Sequence, residues 1–142
     1  TELGLDVDAF VGELGTTIGD VLLAVHRNYF SSVYPVVQEG LVSGIAHITG
    51  GGLVDNIPRI LPSSMSALVY KDAILPFPPL FRWLQENGNI PEDEMFRVFN
   101  VGVGMVLITN SAERVVEMLK HAGENPWIIG EIVSGTRKVL FE

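Results

Sequence analysis

The chain has 142 residues, 47% of them apolar and 18% charged, and a formal net charge of -8. That length and composition suit one ordered domain around a single core and exclude a disordered chain. The acidic balance, with no basic stripe, argues against nucleic acid; the lack of cysteine excludes disulfides, thiolate zinc sites and cysteine nucleophiles.

Residues 3–15 are mixed and acidic with no clear period, and residues 1–15 read as a lead-in segment. Thr16 and Thr17 predict a helix cap, followed by a helix over Ile18–Ala24 with Ile18, Val21, Leu22 and Val25 on one face. His26–Tyr29 interrupts it. A second helix is expected from Ser31 to Gln38, with Pro35 near its first turn. Gly44–Thr49 reads as a short strand running into Gly50-Gly51-Gly52. Leu53, Ile57, Ile60 and Leu61 then fall at helical spacing, and Pro58 keeps that helix short.

Ala67–Tyr70 predicts a strand. A helix over Leu80–Gln85 should stop at Asn87-Gly88, and Pro91 with Glu92-Asp93-Glu94 marks the start of another. Val101–Thr109 alternates and predicts the clearest strand, with Val101, Val103, Met105 and Leu107 on one face and Gly102, Gly104, Val106 and Ile108 on the other. Ser111 caps a helix to Ala122 that Gly123 ends. Two last strands, Trp127–Val133 and Lys138–Phe141, are expected to form a hairpin through Ser134-Gly135-Thr136. Strands and helices mix without strict alternation. The expected class is α+β: a mixed β-sheet with helices packed on its faces, a three-layer α/β/α arrangement, partly ferredoxin-like.

The stretch that carries chemistry runs from His47 to Arg59. A strand delivers the chain to three glycines that open a helix. Glycine admits positive φ and lets backbone approach a ligand. The first N–H groups of a helix lack internal partners, so such a turn suits phosphate or carboxylate. Thr49 can add a hydroxyl and Arg59 a fixed charge. A second reading stays open, in which the glycines only make a tight turn. This is not a Walker loop, because no Lys-Ser or Lys-Thr follows.

His47 at the strand end is a candidate for substrate contact or proton transfer, or simply holds the loop. Asn100 is a candidate polar contact or a turn residue. His26, His47 and His121 have no metal-ligand spacing, so no metal is expected. Gly102-x-Gly104 lacks the third glycine of a dinucleotide fingerprint. Glu92, Asp93 and Glu94 are explained by a helix's first turn.

The string Ala46-His47-Ile48-Thr49-Gly50-Gly51-Gly52-Leu53, followed by Asn56-Ile57-Pro58-Arg59 and Leu61-Pro62, is similar to the signature of aminoimidazole ribonucleotide synthetases, also called phosphoribosylformylglycinamidine cyclo-ligases. Arg27 and Tyr29, Pro78-Pro79, Phe81-Arg82, Leu84-Gln85, Glu94-Met95, Arg97, Phe99–Val106 and Ile129-Gly130-Glu131 extend the resemblance in order, from Gly15 to Gly135. His26 and Val25 depart from it, standing where many members carry Thr and Pro; Asp55 stands where Glu is common.

The resemblance implies the C-terminal domain of the synthetase over residues 16–142, with an N-terminal ATP-binding domain not included; the first residue, Thr1, agrees with a missing upstream part. Such enzymes convert formylglycinamidine ribonucleotide and ATP to aminoimidazole ribonucleotide, ADP and phosphate in de novo purine biosynthesis. ATP and Mg2+ would be held mainly by the N-terminal domain, and no cofactor is expected to bind this chain tightly. The full-length protein would form a homodimer in the cytoplasm. The role carried onto this chain is substrate-phosphate binding by Thr49, Gly50, Gly51, Gly52, Asn56 and Arg59; no catalytic residue is assigned. The isolated chain is expected to be inactive. The alternatives are a stand-alone anion-binding or regulatory module, or the same domain of a relative such as a selenophosphate synthetase. No apolar run reaches the roughly 20 residues of a membrane span, and no signal-peptide pattern opens the chain.

Overall fold

The computed structural model describes residues 4–142. The first three residues of the expected lead-in segment lie outside the described residues. The rest of that segment takes part in the fold: β1 (Phe10–Val11) pairs antiparallel with β2 (Thr16–Thr17), so the ribbon crosses the boundary expected after residue 15. Helix α1 (Ile18–Leu22) follows at once. The Thr17 hydroxyl accepts from the Asp20 amide at 3.1 Å and donates to the Asp20 carboxylate at 2.8 Å, a reciprocal cap. The helix stops two residues short of the expected Ala24, and Leu22 and Val25 are exposed rather than inward.

Helix α2 (Phe30–Gln38) begins where the Asn28 side chain accepts the Phe30 amide, one residue earlier than the sequence suggests. Its buried face is Ser32, Val33 and Val36; Pro35 sits inside it on the exposed side. Strand β3 (Gly44–His47) leads through the glycines into α3 (Gly52–Asn56), which tightens into a 3-10 turn over Ile57–Ile60. Pro58 explains the change, because it lacks the N–H needed to continue an α-ladder. Then come β4 (Met65–Val69), α4 (Pro79–Gly88) and α5 (Glu92–Val98). Helix α4 runs three residues past the expected Gln85, through Asn87-Gly88, and ends on Asn89, whose φ of 46° supplies the left-handed cap.

Strand β5 (Met105–Ile108) is shorter than its alternating pattern. Val101 and Gly102 take positive φ, 46° and 94°, and the Val103 amide returns to the Asn100 carbonyl at 2.8 Å. The turn reverses the faces. Val101 and Val103 join the main core with Val106 and Ile108, while Met105 and Leu107 point to the other side. Helix α6 (Ala112–His121) starts after Ser111, whose side chain does not cap it. The Thr109 hydroxyl acts nearby instead, accepting the Ser111 amide and donating to the Leu41 carbonyl.

The last strands are β6 (Gly130–Ser134) and β7 (Val139–Phe141). They do not form the expected hairpin. Both pair with β4, β6 antiparallel and β7 parallel, giving the order β6-β4-β7. The connection crosses the end of β4 and is held there by the Ser66 hydroxyl, which accepts the amides of Thr136 and Lys138. A hairpin would have left Ser66, 1% exposed, without these partners.

The class is α+β, with a mixed three-stranded sheet, the antiparallel pair β3-β5 and helices against them. The main core gathers Ala46 of β3, Leu53 of α3, Val69 of β4, and Met95 and Phe96 of α5, with Ile48 and Ile57 from the segments that follow β3 and α3. A second cluster, Val33, Val36, Val115 and Leu119, joins α2 and α6 over the Met105–Leu107 face of β5. No helix among the described residues is long and apolar enough to cross a membrane.

Candidate functional site

The site begins where β3 ends. His47, the last strand residue, stands opposite Met105 and has an exposed side chain. Ile48 is fully buried, and its amide donates to the Gly104 carbonyl at 3.0 Å. That anchor fixes the chain just before it turns.

The three glycines serve different ends. Gly50 is exposed, and a Cβ there would meet nothing within 4 Å. Gly51 has a φ of 92°, a conformation that suits glycine, and a Cβ would come within 2.7 Å of the Asp55 carboxylate. Gly52 is buried with a φ of 55°; any side chain would strike the Phe96 carbonyl and come within 2.6 Å of that of Phe99. Gly52 therefore lets α3 lie against the end of α5, which is a packing role.

The amides divide in the same way. The Gly52 amide is already bonded to the Thr49 carbonyl at 3.0 Å. The Gly50 and Gly51 amides have no partner among the described residues. Two of the three expected donors thus remain for a ligand. Helix α3 has five residues, so the dipole behind them is small. What the glycines offer is two free amides, beside the Thr49 hydroxyl.

Asn56 does not face the outside. It is 4% exposed, and its amide donates to the carbonyls of Gly52 at 2.8 Å, Gly50 at 3.2 Å and Thr49 at 3.4 Å. It holds the turn in shape. Arg59 is exposed in the 3-10 turn and makes no ion pair among the described residues. Asn100 is half-buried, and its Oδ1 accepts the Gly102 amide at 3.1 Å, which steadies the turn before β5.

Sequence reasoning assigns His26 no role. In the structure its Nε2 lies 2.8 Å from Nε2 of His47. The two rings border a groove of about 540 Å³ with Tyr29, Tyr34, Ile45 and Met105. Gly104 is glycine for a related reason: the Tyr29 hydroxyl fills the space a Cβ would need. No local pattern signals these contacts, because the partners lie far apart in sequence. Glu92 and Asp93, an acidic cluster on paper, pair with Lys71 at 2.7 Å and 3.4 Å. The hydrogen bond from Lys71 to Glu92 raises the lysine's pKa above its ordinary value. Among the described residues no three His, Cys, Asp or Glu side chains come together to hold a metal.

The profile of the family described as AIR synthase related protein, C-terminal domain, matches residues 4–141. The chain belongs to that family. Several relatives are named phosphoribosylformylglycinamidine cyclo-ligase. The protein of Alkaliphilus metalliredigens is 41% identical over 136 residues, 94% of this chain and 39% of the relative. That of Geobacter sulfurreducens is 44% identical over 132 residues, 92% of this chain and 38% of the relative. The Arabidopsis thaliana relative, named as chloroplastic, is 42% identical over 122 residues, 84% of this chain and 31% of its own length. The chain thus spans about two fifths of the first two. The AIR synthase related fold places its glycine turn at an exposed strand end, braced from behind by Asn56 and α5.

Proposed function

We propose that this chain is the substrate-holding part of an ATP-dependent cyclo-ligase that makes aminoimidazole ribonucleotide from formylglycinamidine ribonucleotide in purine biosynthesis. The observation that carries the reading is the pair of unpartnered amides at Gly50 and Gly51, beside the exposed Thr49, in a chain of this family. Thr49, Gly50 and Gly51 contact the substrate phosphate directly, Arg59 adds charge, and Gly52 and Asn56 shape the turn. His47 faces the same exposed strand end and reaches the substrate's reacting half; Asn100 fixes the turn that precedes β5.

Asp55 refines the ligand. Its carboxylate beside Gly51 opposes a bare dianion but accepts hydrogen bonds from hydroxyls. A ribose phosphate supplies both a phosphate for the amides and hydroxyls for Asp55. ATP and Mg2+ belong to this reading, but the residues here do not fit them: no Lys-Ser or Lys-Thr follows the glycines directly, and among the described residues no carboxylate cluster gathers to hold a metal. The nucleotide is therefore assigned to an N-terminal domain of the longer protein, which would also form the homodimer. The proposed compartment is the cytoplasm; a chain without cysteine makes no demand for an oxidising one.

The test is a titration of the chain with ribose 5-phosphate, followed through backbone amide signals. Shifts should concentrate at Thr49–Gly51 and Asp55. Signals that stay still there while others move would remove the turn from the site. In the longer protein, Gly50→Val should raise the KM for formylglycinamidine ribonucleotide at least tenfold, because a branched side chain blocks backbone approach without disturbing the fold.

A further inference from the structure

His26 and His47 lie 21 residues apart in sequence, and their rings meet edge to face with centroids 4.9 Å apart. The contact joins Nε2 to Nε2 at 2.8 Å. A neutral imidazole carries one N–H donor and one bare acceptor. A hydrogen bond between two Nε2 atoms needs the proton on one of them and none on the other. The ring that donates from Nε2 then has a bare Nδ1, and its partner carries its proton on Nδ1. Two neutral rings joined in this way must be opposite tautomers.

The placement of His26 is built by the three residues that follow it. Arg27 pairs with Glu124 at 2.8 Å. Asn28 accepts the first amide of α2 at 2.9 Å. Tyr29 seats its hydroxyl over Gly104. These anchors fix a segment that has no regular secondary structure of its own. His47 is fixed independently by the β3-β5 ladder. The two rings therefore meet because two separately held backbones bring them together.

We infer that His26 is a positioning residue for His47: it engages His47 Nε2 and couples the proton positions of the two rings, so that the tautomer of one is the opposite of the other's beside the glycine turn. The functional value of this coupling rests on the substrate-holding reading, while the coupling itself stands on geometry. With its Nε2 engaged by His26, His47 can offer only Nδ1 to a ligand, as a donor in one arrangement and an acceptor in the other. Both Nδ1 atoms are without a partner among the described residues. The pair thus presents one donor and one acceptor at the strand end.

Long-range proton–nitrogen spectra of the two histidines test this at a pH of about 8.5, two units above the ordinary histidine value. The expected result is complementary populations: the Nδ1-protonated fraction of one ring matches the Nε2-protonated fraction of the other. His26→Ala should shift the His47 tautomer populations, because its Nε2 loses its partner. The same tautomer on both rings overturns the inference, as does a His47 spectrum unchanged by His26→Ala. If His26→Ala fails to fold, the wild-type spectrum still decides, because opposite tautomers are required. Titration with ribose 5-phosphate reads the other claim separately: silence at Gly50 and Gly51 with the tautomers coupled would sink the ligand assignment alone.

Discussion

The glycines of the turn make separable predictions. Gly52→Ala forces a methyl group into the Phe96 and Phe99 carbonyls at a left-handed φ. It should cost about 2 kcal/mol or more in denaturant unfolding, combining steric overlap with backbone strain. Gly50→Ala meets open space and should stay within about 0.5 kcal/mol of the parent. A large loss at Gly50 would show that the turn needs both glycines for folding. Asn56→Ala leaves three carbonyls without their shared donor and should cost about 1–2 kcal/mol. An unchanged denaturation midpoint would mean that solvent replaces the amide at no loss. Three adjacent glycines look alike in the sequence because composition registers only the absence of Cβ. Which one stays open and which one faces α5 depends on a helix that arrives more than forty residues later.

At the level of single elements, the reciprocal cap of α1 has a pH signature. Hydrogen bonds from Thr17, and then Thr16, hold the Asp20 carboxyl below its ordinary value. A depressed folded value stabilises the folded form above the unfolded pKa, and that contribution is lost as pH falls through the folded pKa. Thr17→Val should return the Asp20 titration toward the ordinary value and weaken protection of the first-turn amides of α1; a carboxyl signal that titrates as before would assign the shift to another cause. The cap was legible because two threonines stand directly before the apolar-periodic run that opens at Ile18. So was the strand-turn-helix of the glycine segment, whose periods change from two to three or four within a few residues. The reversal at Val101 was not legible. An apolar alternation continues straight through it, and the left-handed φ of a β-branched residue has no local sign. The β6-β4-β7 order was hidden for another reason. Ser134-Gly135-Thr136 reads as a hairpin turn, but Ser66, far upstream, accepts the amides of Thr136 and Lys138, and the chain passes to the other side of β4. The contact of His26 with His47 is long-range in the same sense.

On the scale of the whole molecule, the site's shape depends on the core beneath it. Phe96 is fully buried, packs against Phe77 and Phe141 with ring centroids 5.2 Å and 4.8 Å apart, and lies in the helix whose carbonyls close over Gly52. Its ring ties α5 to β7 and to the segment before α4, while its backbone supports the turn. Shrinking the ring should therefore be felt at the turn before the molecule unfolds. Leu119, by contrast, belongs to the second cluster under α6 and has no part in that support. Phe96→Leu should cost about 1.5 kcal/mol, and Leu119→Ala about 2–5 kcal/mol. Hydrogen exchange at the Gly52 amide, which is bonded to the Thr49 carbonyl, should nevertheless accelerate more in Phe96→Leu than in Leu119→Ala. Local loosening of α5 exposes that amide directly, whereas loss in the second cluster reaches it only through global unfolding. Acceleration that simply follows total stability would mean that the turn opens with the whole molecule, and that its rigidity does not come from α5.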